Sequence, residues 1–270
     1  MSKNVVRSSV QFVVLAAALT VAVVSAAYAA EKRDARVTQI VHDVRVLPSK
    51  AAARPATMNE TVSQGTGVRT GSDSRAELTF SDLSLTRLGA NTVFSFDQGA
   101  RNVNLSSGAI LICVPPEAGS VRISAPAVSA AISGGIAMAE AHKDSWIKFI
   151  IIEGQGVITL KSTGKSITLH SGQMITLPPG AREFTRVLNI NLKKLTDKSL
   201  LIRFAKLPKW VWNLIDAEIN RQLTSPPSGG YSDPTGFDKI DQKLATSTPP
   251  EHTPPPERSP PGNLSTGKPK

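Results

Sequence analysis

Nucleophilic catalysis needs a serine or cysteine held beside a base, and metal catalysis needs His, Cys, Asp or Glu at short regular spacings. This chain of 270 residues has one cysteine and four histidines. One cysteine excludes an intramolecular disulfide framework and any CxxC zinc site, and His42, His142 and His170 have no partner at a ligand spacing. Cys113, between Ile112 and Val114, reads as a small buried core residue rather than a reactive thiol. Ser162-Thr163-Gly164-Lys165 satisfies S-x-x-K, but that nucleophile belongs at the start of a helix, and these four residues bridge two strand-like runs. They read as a hairpin turn. Gly65-Thr66-Gly67 with Gly71 misses the dinucleotide spacing and no helix follows to receive a pyrophosphate, so it too reads as a turn. Glu153 and Asp82 are the acids nearest to apolar strands, which by itself defines no glycosidase pair. The expectation is no catalytic residue, no bound cofactor and no metal ligand.

The elements that would position any such groups are strands. Hydrophobic residues make up 40% of the chain but aromatics only 5%, so the core must rest on Val, Ile, Leu and Ala. From Val37 to Pro179, short runs of β-formers are cut by Gly, Asn, Asp, Ser or Pro. Ala76, Leu78 and Phe80 alternate with Arg75, Glu77 and Thr79, the signature of a half-buried strand. The same period of two recurs at Phe94/Phe96, Val103/Leu105, Val121/Ile123, Ile158/Leu160, Ile167/Leu169 and Ile175/Leu177. Ile110 to Val114 and Ile147 to Ile152 are continuous apolar runs, as expected of central strands covered on both sides. The reading is all-β: an antiparallel sandwich, jelly roll or β-roll of about a dozen short strands over residues 35–180. A parallel α/β fold is excluded, because no crossover-length helical pattern precedes Arg186.

The flanks differ from this body. Lys3 and Arg7, the apolar run Phe12 to Val24 and the small residues around Ala27-Tyr28-Ala29 have the order of a secretory signal peptide over residues 1–29. An uncleaved anchor helix is the alternative. Residues 185–224 read as two basic amphipathic helices. Val187, Leu188, Leu192, Leu195, Leu201 and Ile202 form one stripe, and Trp210, Leu214, Ile215, Ile219 and Leu223 form the second. With 8 basic and 3 acidic side chains this stretch holds half of the formal charge of +10, and residues 186–221 are a candidate contact for an anionic surface. Residues 225–270 contain 11 prolines and few large apolar side chains, the composition of a disordered tail.

Several short motifs occur in order along the body. They are Val68-Arg69-Thr70-Gly71, Ser74-Arg75-Ala76-Glu77-Leu78, Asp82-Leu83-Ser84-Leu85 and Leu88-Gly89-Ala90-Asn91-Thr92. After them come Gly108-Ala109-Ile110-Leu111, Ala125-Pro126, Glu153-Gly154 and Ser171-Gly172-Gln173. The series resembles the FecR-type domain of bacterial envelope proteins across roughly Val62 to Pro179. The resemblance makes Gly71, Ala76, Leu78, Asp82, Leu88, Gly89, Asn91, Gly108, Pro126, Gly154, Gly172 and Gln173 family-motif positions with a structural role. It implies an exported β module of the kind that senses a receptor in surface signalling. The chain departs from the family where Leu83 replaces the usual Gly of "DGS" and where Gly134-Gly135-Ile136-Ala137-Met138 stands for "GT.F". With 11 residues before Phe12, a cytoplasmic anti-sigma segment is not expected.

These readings converge on a non-enzymatic binding module of the cell envelope, periplasmic or secreted. Its expected partner is an envelope protein or a cell-wall polymer, not nucleic acid, with no stable membrane span after cleavage. The alternatives are a hydrolase acting on cell-wall polysaccharide and a structural envelope subunit.

Overall fold

The computed structural model describes residues 34–97, 102–142 and 145–233. The leader with Ala27 and Ala29, and the Pro-rich stretch after Asp233, lie outside the described residues. The strands are β1 (Ala35–Val41), β2 (Val44–Leu47), the two-residue β3 (Arg54–Pro55) and β4 (Thr61–Val62), then β5 (Gly67–Thr70), β6 (Arg75–Phe80), β7 (Leu85–Leu88) and β8 (Val93–Phe96). A 13-residue β9 (Asn102–Val114) follows, then β10 (Ser120–Ser124), β11 (Val128–Ser133), β12 (Gly135–His142) and β13 (Trp146–Glu153). The series ends with β14 (Gln155–Leu160), β15 (Ser166–His170), β16 (Gln173–Leu177) and β17 (Leu188–Asn189). These are more strands than the dozen expected, because long alternating runs break at corners and each run supplies two.

The corners explain the architecture. A run travels along one sheet, bends, and continues in the other: β1 into β2, β5 into β6, β7 into β8, β11 into β12, β13 into β14, and β15 into β16. β9 makes the same passage unbroken. Positive φ marks these bends at His42, Asp73, Asn91, Gly108, Gly134, Gly135, Gly154 and Gly172. Gly108 shows why the residue type matters: a Cβ there would strike Thr92 and the carbonyl of Asn91. Neighbouring corners are tied together, with Gly71 N donating to Asp43 O and Asn91 N to Gly71 O.

The result is a sandwich of two sheets sharing β9. Sheet A runs β4-β1-β6-β7-β9-β12-β13-β16-β17. Sheet B runs β3-β2-β5-β8-β9-β10-β11-β14-β15. Pairing is antiparallel except between β9 and β10, a parallel contact that the alternation alone did not signal. The inner faces interdigitate Val37, Leu78, Leu88, Phe94, Leu105, Ile112, Ile123, Phe149 and Ile158.

Three helices follow instead of two: α1 (Leu192–Lys198), α2 (Leu200–Arg203) and α3 (Lys209–Thr224). Asn191 caps α1 by accepting from Lys194 N, so Leu188 stays in a strand, and Ser199 ends the first helix before the apolar stripe does. The helices lie on the outer face of sheet A. There Leu192, Leu195, Ile202, Val211 and Ile215 pack with Leu111, Cys113, Met138, Ile150 and Ile152 in a second core. The two continuous apolar runs thus belong to strands β9 and β13, covered on both sides. The docked face of α3 keeps Trp210, Leu214, Ile215 and Ile219 of the expected stripe against this core and adds buried Val211, Glu218 and Gln222, while Leu223 is 74% exposed. Among the described residues no helix is long and apolar enough to cross a membrane.

Candidate interaction surface

The residues singled out for chemistry do not converge. His42 sits at the first corner with Nδ1 2.9 Å from the Asp73 carbonyl, His142 stacks on Trp146 with ring centroids 3.9 Å apart, and His170 ends β15. Burial pushes the Cys113 thiol far above its ordinary range, so it supplies no thiolate. Ser162 to Lys165 form the turn between β14 and β15, with Ser162 Oγ donating to the Ala181 carbonyl. Among the described residues no group of His, Cys, Asp and Glu is placed to hold a metal ion.

The family-motif positions lie in the inner core, at the corners and in turns. Ala76, Leu78 and Leu88 fill the inner core. Asn91, Gly108, Gly154 and Gly172 occupy corners, and Gly71 links two of them. Gly89 is buried where a Cβ would press on Ala109. Gln173 Oε1 accepts from His170 N at the last corner, Asp82 Oδ1 accepts from Ser84 N in the β6–β7 turn, and Pro126 is exposed in the turn after β10. In that β6–β7 turn, Leu83 takes φ 64°, a conformation suited to glycine, and is 64% exposed. It borders a groove with Pro115, Pro116, Trp210 and Leu214.

The two outer faces are built in opposite ways. On sheet A, Arg87 is fully buried. Its Nε donates to Glu77 Oε2 at 2.8 Å, its Nη1 to the carbonyls of Leu201 and Ile202 at 3.1 and 2.7 Å, and its Nη2 to Ala205 O at 3.0 Å. The guanidinium also lies 4.8 Å from the centroid of the Phe204 ring. A helix end leaves its last carbonyls unpaired, and a guanidinium carries five donors, so one side chain locks α2 onto the sheet. Glu77, read from the alternation as a surface residue, is therefore buried, and it also accepts from Thr38 Oγ1 at 2.7 Å. Gln222 secures the other end, accepting from Leu192 N and donating to Ile190 O, both at 3.0 Å.

Two carboxylates of sheet A are perturbed in opposite directions. Burial, then the charge of Glu218, pushes Glu153 above the usual carboxylate range. Burial also disfavours the Glu140 carboxylate, but His142 at 3.8 Å and Lys148 at 3.2 Å pull it below that range.

On sheet B the outward positions are polar and uncovered by any described element. Not one Lys, Asp or Glu occurs within its strand segments. Its outward cations are Arg45, Arg69, Arg122 and, on the edge strand β3, Arg54. Arg45 Nε pairs with Asp43 at 3.1 Å and Arg54 with Glu60. Arg69 and Arg122 are exposed and make no ion pair among the described residues.

Residues 66–155, from just before β5 to the start of β14, match the family model of the FecR protein. Two solved structures of a proposed anti-sigma factor from Parabacteroides distasonis align with the chain. One has a TM-score of 0.43 at 15% identity, covering 48% of this chain and 62% of that chain. The other has a TM-score of 0.43 at 13% identity, covering 49% and 64%. The chain spans less than two thirds of the length of either. No curated protein matches its sequence.

Proposed function

We propose that this chain is an exported, non-catalytic binding module of the bacterial cell envelope that serves sensing rather than turnover. The observation that carries the reading is the FecR domain at residues 66–155, a domain type of cell-envelope signalling proteins. The order of Lys3, Arg7, the apolar run from Phe12 and Ala27-Tyr28-Ala29 supports export. In this reading the motif residues set the corners, the helices close one face and the other face receives the ligand. The exposed cations Lys193, Lys198, Arg203, Lys206 and Lys209 on the helical cap approach an anionic surface.

The test is fractionation of the native host followed by N-terminal sequencing. The mature chain is expected in the periplasmic or secreted fraction, beginning at Ala30 or Glu31. A chain that keeps its leader in the cytoplasm overturns the export reading. Release of reducing ends from purified cell-wall polymer by the pure protein overturns the non-catalytic one.

A further inference from the structure

The strand registers of sheet B place one row of small polar side chains straight across the open face. Ser95 on β8 pairs with Asn104 on β9, Asn104 with Ser124 on β10, and Ser124 with Ser129 on β11. Ser129 then pairs with Thr159 on β14, and Thr159 with Ser166 on β15. The row begins at Gly67 on β5, directly opposite Ser95. Each side chain is short, so the row is a level shelf of hydroxyls and one amide, repeating at the strand spacing of about 4.8 Å. Asn104 Nδ2 is held by Asp97 at 3.1 Å, Thr159 and Ser166 share a hydrogen bond at 2.8 Å, and Lys161 Nζ reaches Ser124 Oγ at 2.9 Å.

Two outward arginines that make no ion pair among the described residues flank this shelf, and Lys161, which makes none there either, adds a cation at Ser124. Arg69 stands two residues beyond Gly67, toward the corners. Arg122 stands two residues from Ser124 toward the opposite end, because it faces Asn102 while Ser124 faces Asn104. The arginines therefore lie on opposite sides of the row, three strand steps apart, or roughly 14 Å measured along it. Arg69 also sits directly across from Arg45, a like-charge cross-strand pair that costs stability unless an anion lies nearby. Asp43 partly offsets Arg45, and nothing charged offsets Arg69 among the described residues.

We propose that the open face of sheet B binds a linear acidic polysaccharide in a flat two-fold ribbon, laid along the hydroxyl shelf. In such a ribbon each monosaccharide advances by close to one strand spacing, and successive carboxylates alternate between its two edges. Units three apart put their carboxylates on opposite edges, which is where Arg69 and Arg122 stand. Guanidinium groups grip carboxylates in a two-pronged geometry, while the Ser, Thr and Asn groups exchange hydrogen bonds with sugar hydroxyls. A strand-like peptide would instead seek a sheet edge, and a neutral glycan would leave both arginines unused.

This inference rests on the binding-module reading and names its ligand class. The experiment titrates the mature full chain with polymannuronate, a two-fold uronate ribbon, with a neutral β-1,4-mannan and with double-stranded DNA, reading affinity and reducing ends together. Binding to polymannuronate at least about tenfold tighter than to the mannan or DNA is expected, falling with salt. R69Q/R122Q should lose about tenfold or more while its melting temperature stays that of the parent, and Ser124→Ala/Ser129→Ala should lose less. DNA bound as tightly as polymannuronate means a generic cationic patch and overturns the proposal. So does absence of binding, or binding that R69Q/R122Q leaves intact. Binding accompanied by chain cleavage keeps the site but overturns the non-catalytic reading. Absence of binding by a correctly exported chain overturns the site alone.

Discussion

The two outer faces of the sandwich belong to sheets that share only β9 and differ in what lies on them. Sheet A turns Leu111, Cys113, Ile136, Met138, Ile150 and Ile152 outward and must be capped, because that much apolar surface is unfavourable in water at roughly 25 cal/mol per Å². Sheet B turns Ser, Thr, Asn and Arg outward and needs no cap. The lesson is sharpest in the arginines. Arg87 is a structural cation with each donor group matched to protein oxygens, whereas Arg69 and Arg122 are exposed and make no ion pair among the described residues.

The largest test of this contrast is Arg87→Met. It strands Glu77 as a buried charge and frees the α2 carbonyls, so chemical denaturation should show a loss of about 3–5 kcal/mol. A loss under about 1 kcal/mol would mean the cap does not depend on the clamp. Next comes Gly108→Ala, at the bend where β9 passes between the sheets. Positive φ and the collision with Thr92 together should cost about 3 kcal/mol, measured in the same way.

Glu153→Gln sharpens the picture of the covered face through pH. Because the folded-state pKa of Glu153 is raised, protonation favours the folded protein. Its stabilising share is complete below the ordinary carboxylate range and is lost as pH rises through the raised value. The amide should therefore raise the melting temperature modestly at pH 7 and leave it unchanged near pH 4. A lower melting temperature at pH 7 would show that the carboxylate is needed in its charged form. The smallest effect is expected on the open face, where R69Q/R122Q should change stability by no more than about 0.5 kcal/mol in either direction.

Much of the covered-versus-open distinction was legible in the chain. The unbroken runs Ile110 to Val114 and Ile147 to Ile152 announced strands with two apolar faces, and the alternation at Val103/Leu105 and Val121/Ile123 announced strands with one. Other features were out of reach of periodicity. Arg87 looks like any outward residue between Thr86 and Leu88, because its burial depends on carbonyls more than a hundred positions later. On α3 the burial of Glu218 and Gln222 was equally hidden, because these polar groups are buried only by finding partners, Arg221 for one and the α1 entry for the other. His42 gave little sign of being a corner, since it does with a side chain what glycine does elsewhere. The shelf on sheet B required the registers, which local pattern does not set across six strands.

β9 has β7 and β8 on one flank and β12 and β10 on the other, so every strand before it lies to one side in both layers and every strand after it to the other. It is thus the common hinge pin of two half-shells. Tension applied between residues 35 and 177 must tear that pin from a neighbour in both layers together, and a pulling experiment should record a single tall rupture instead of two lesser ones. A receptor or polymer tugging on one half would transmit load to the other without first loosening the wall between them.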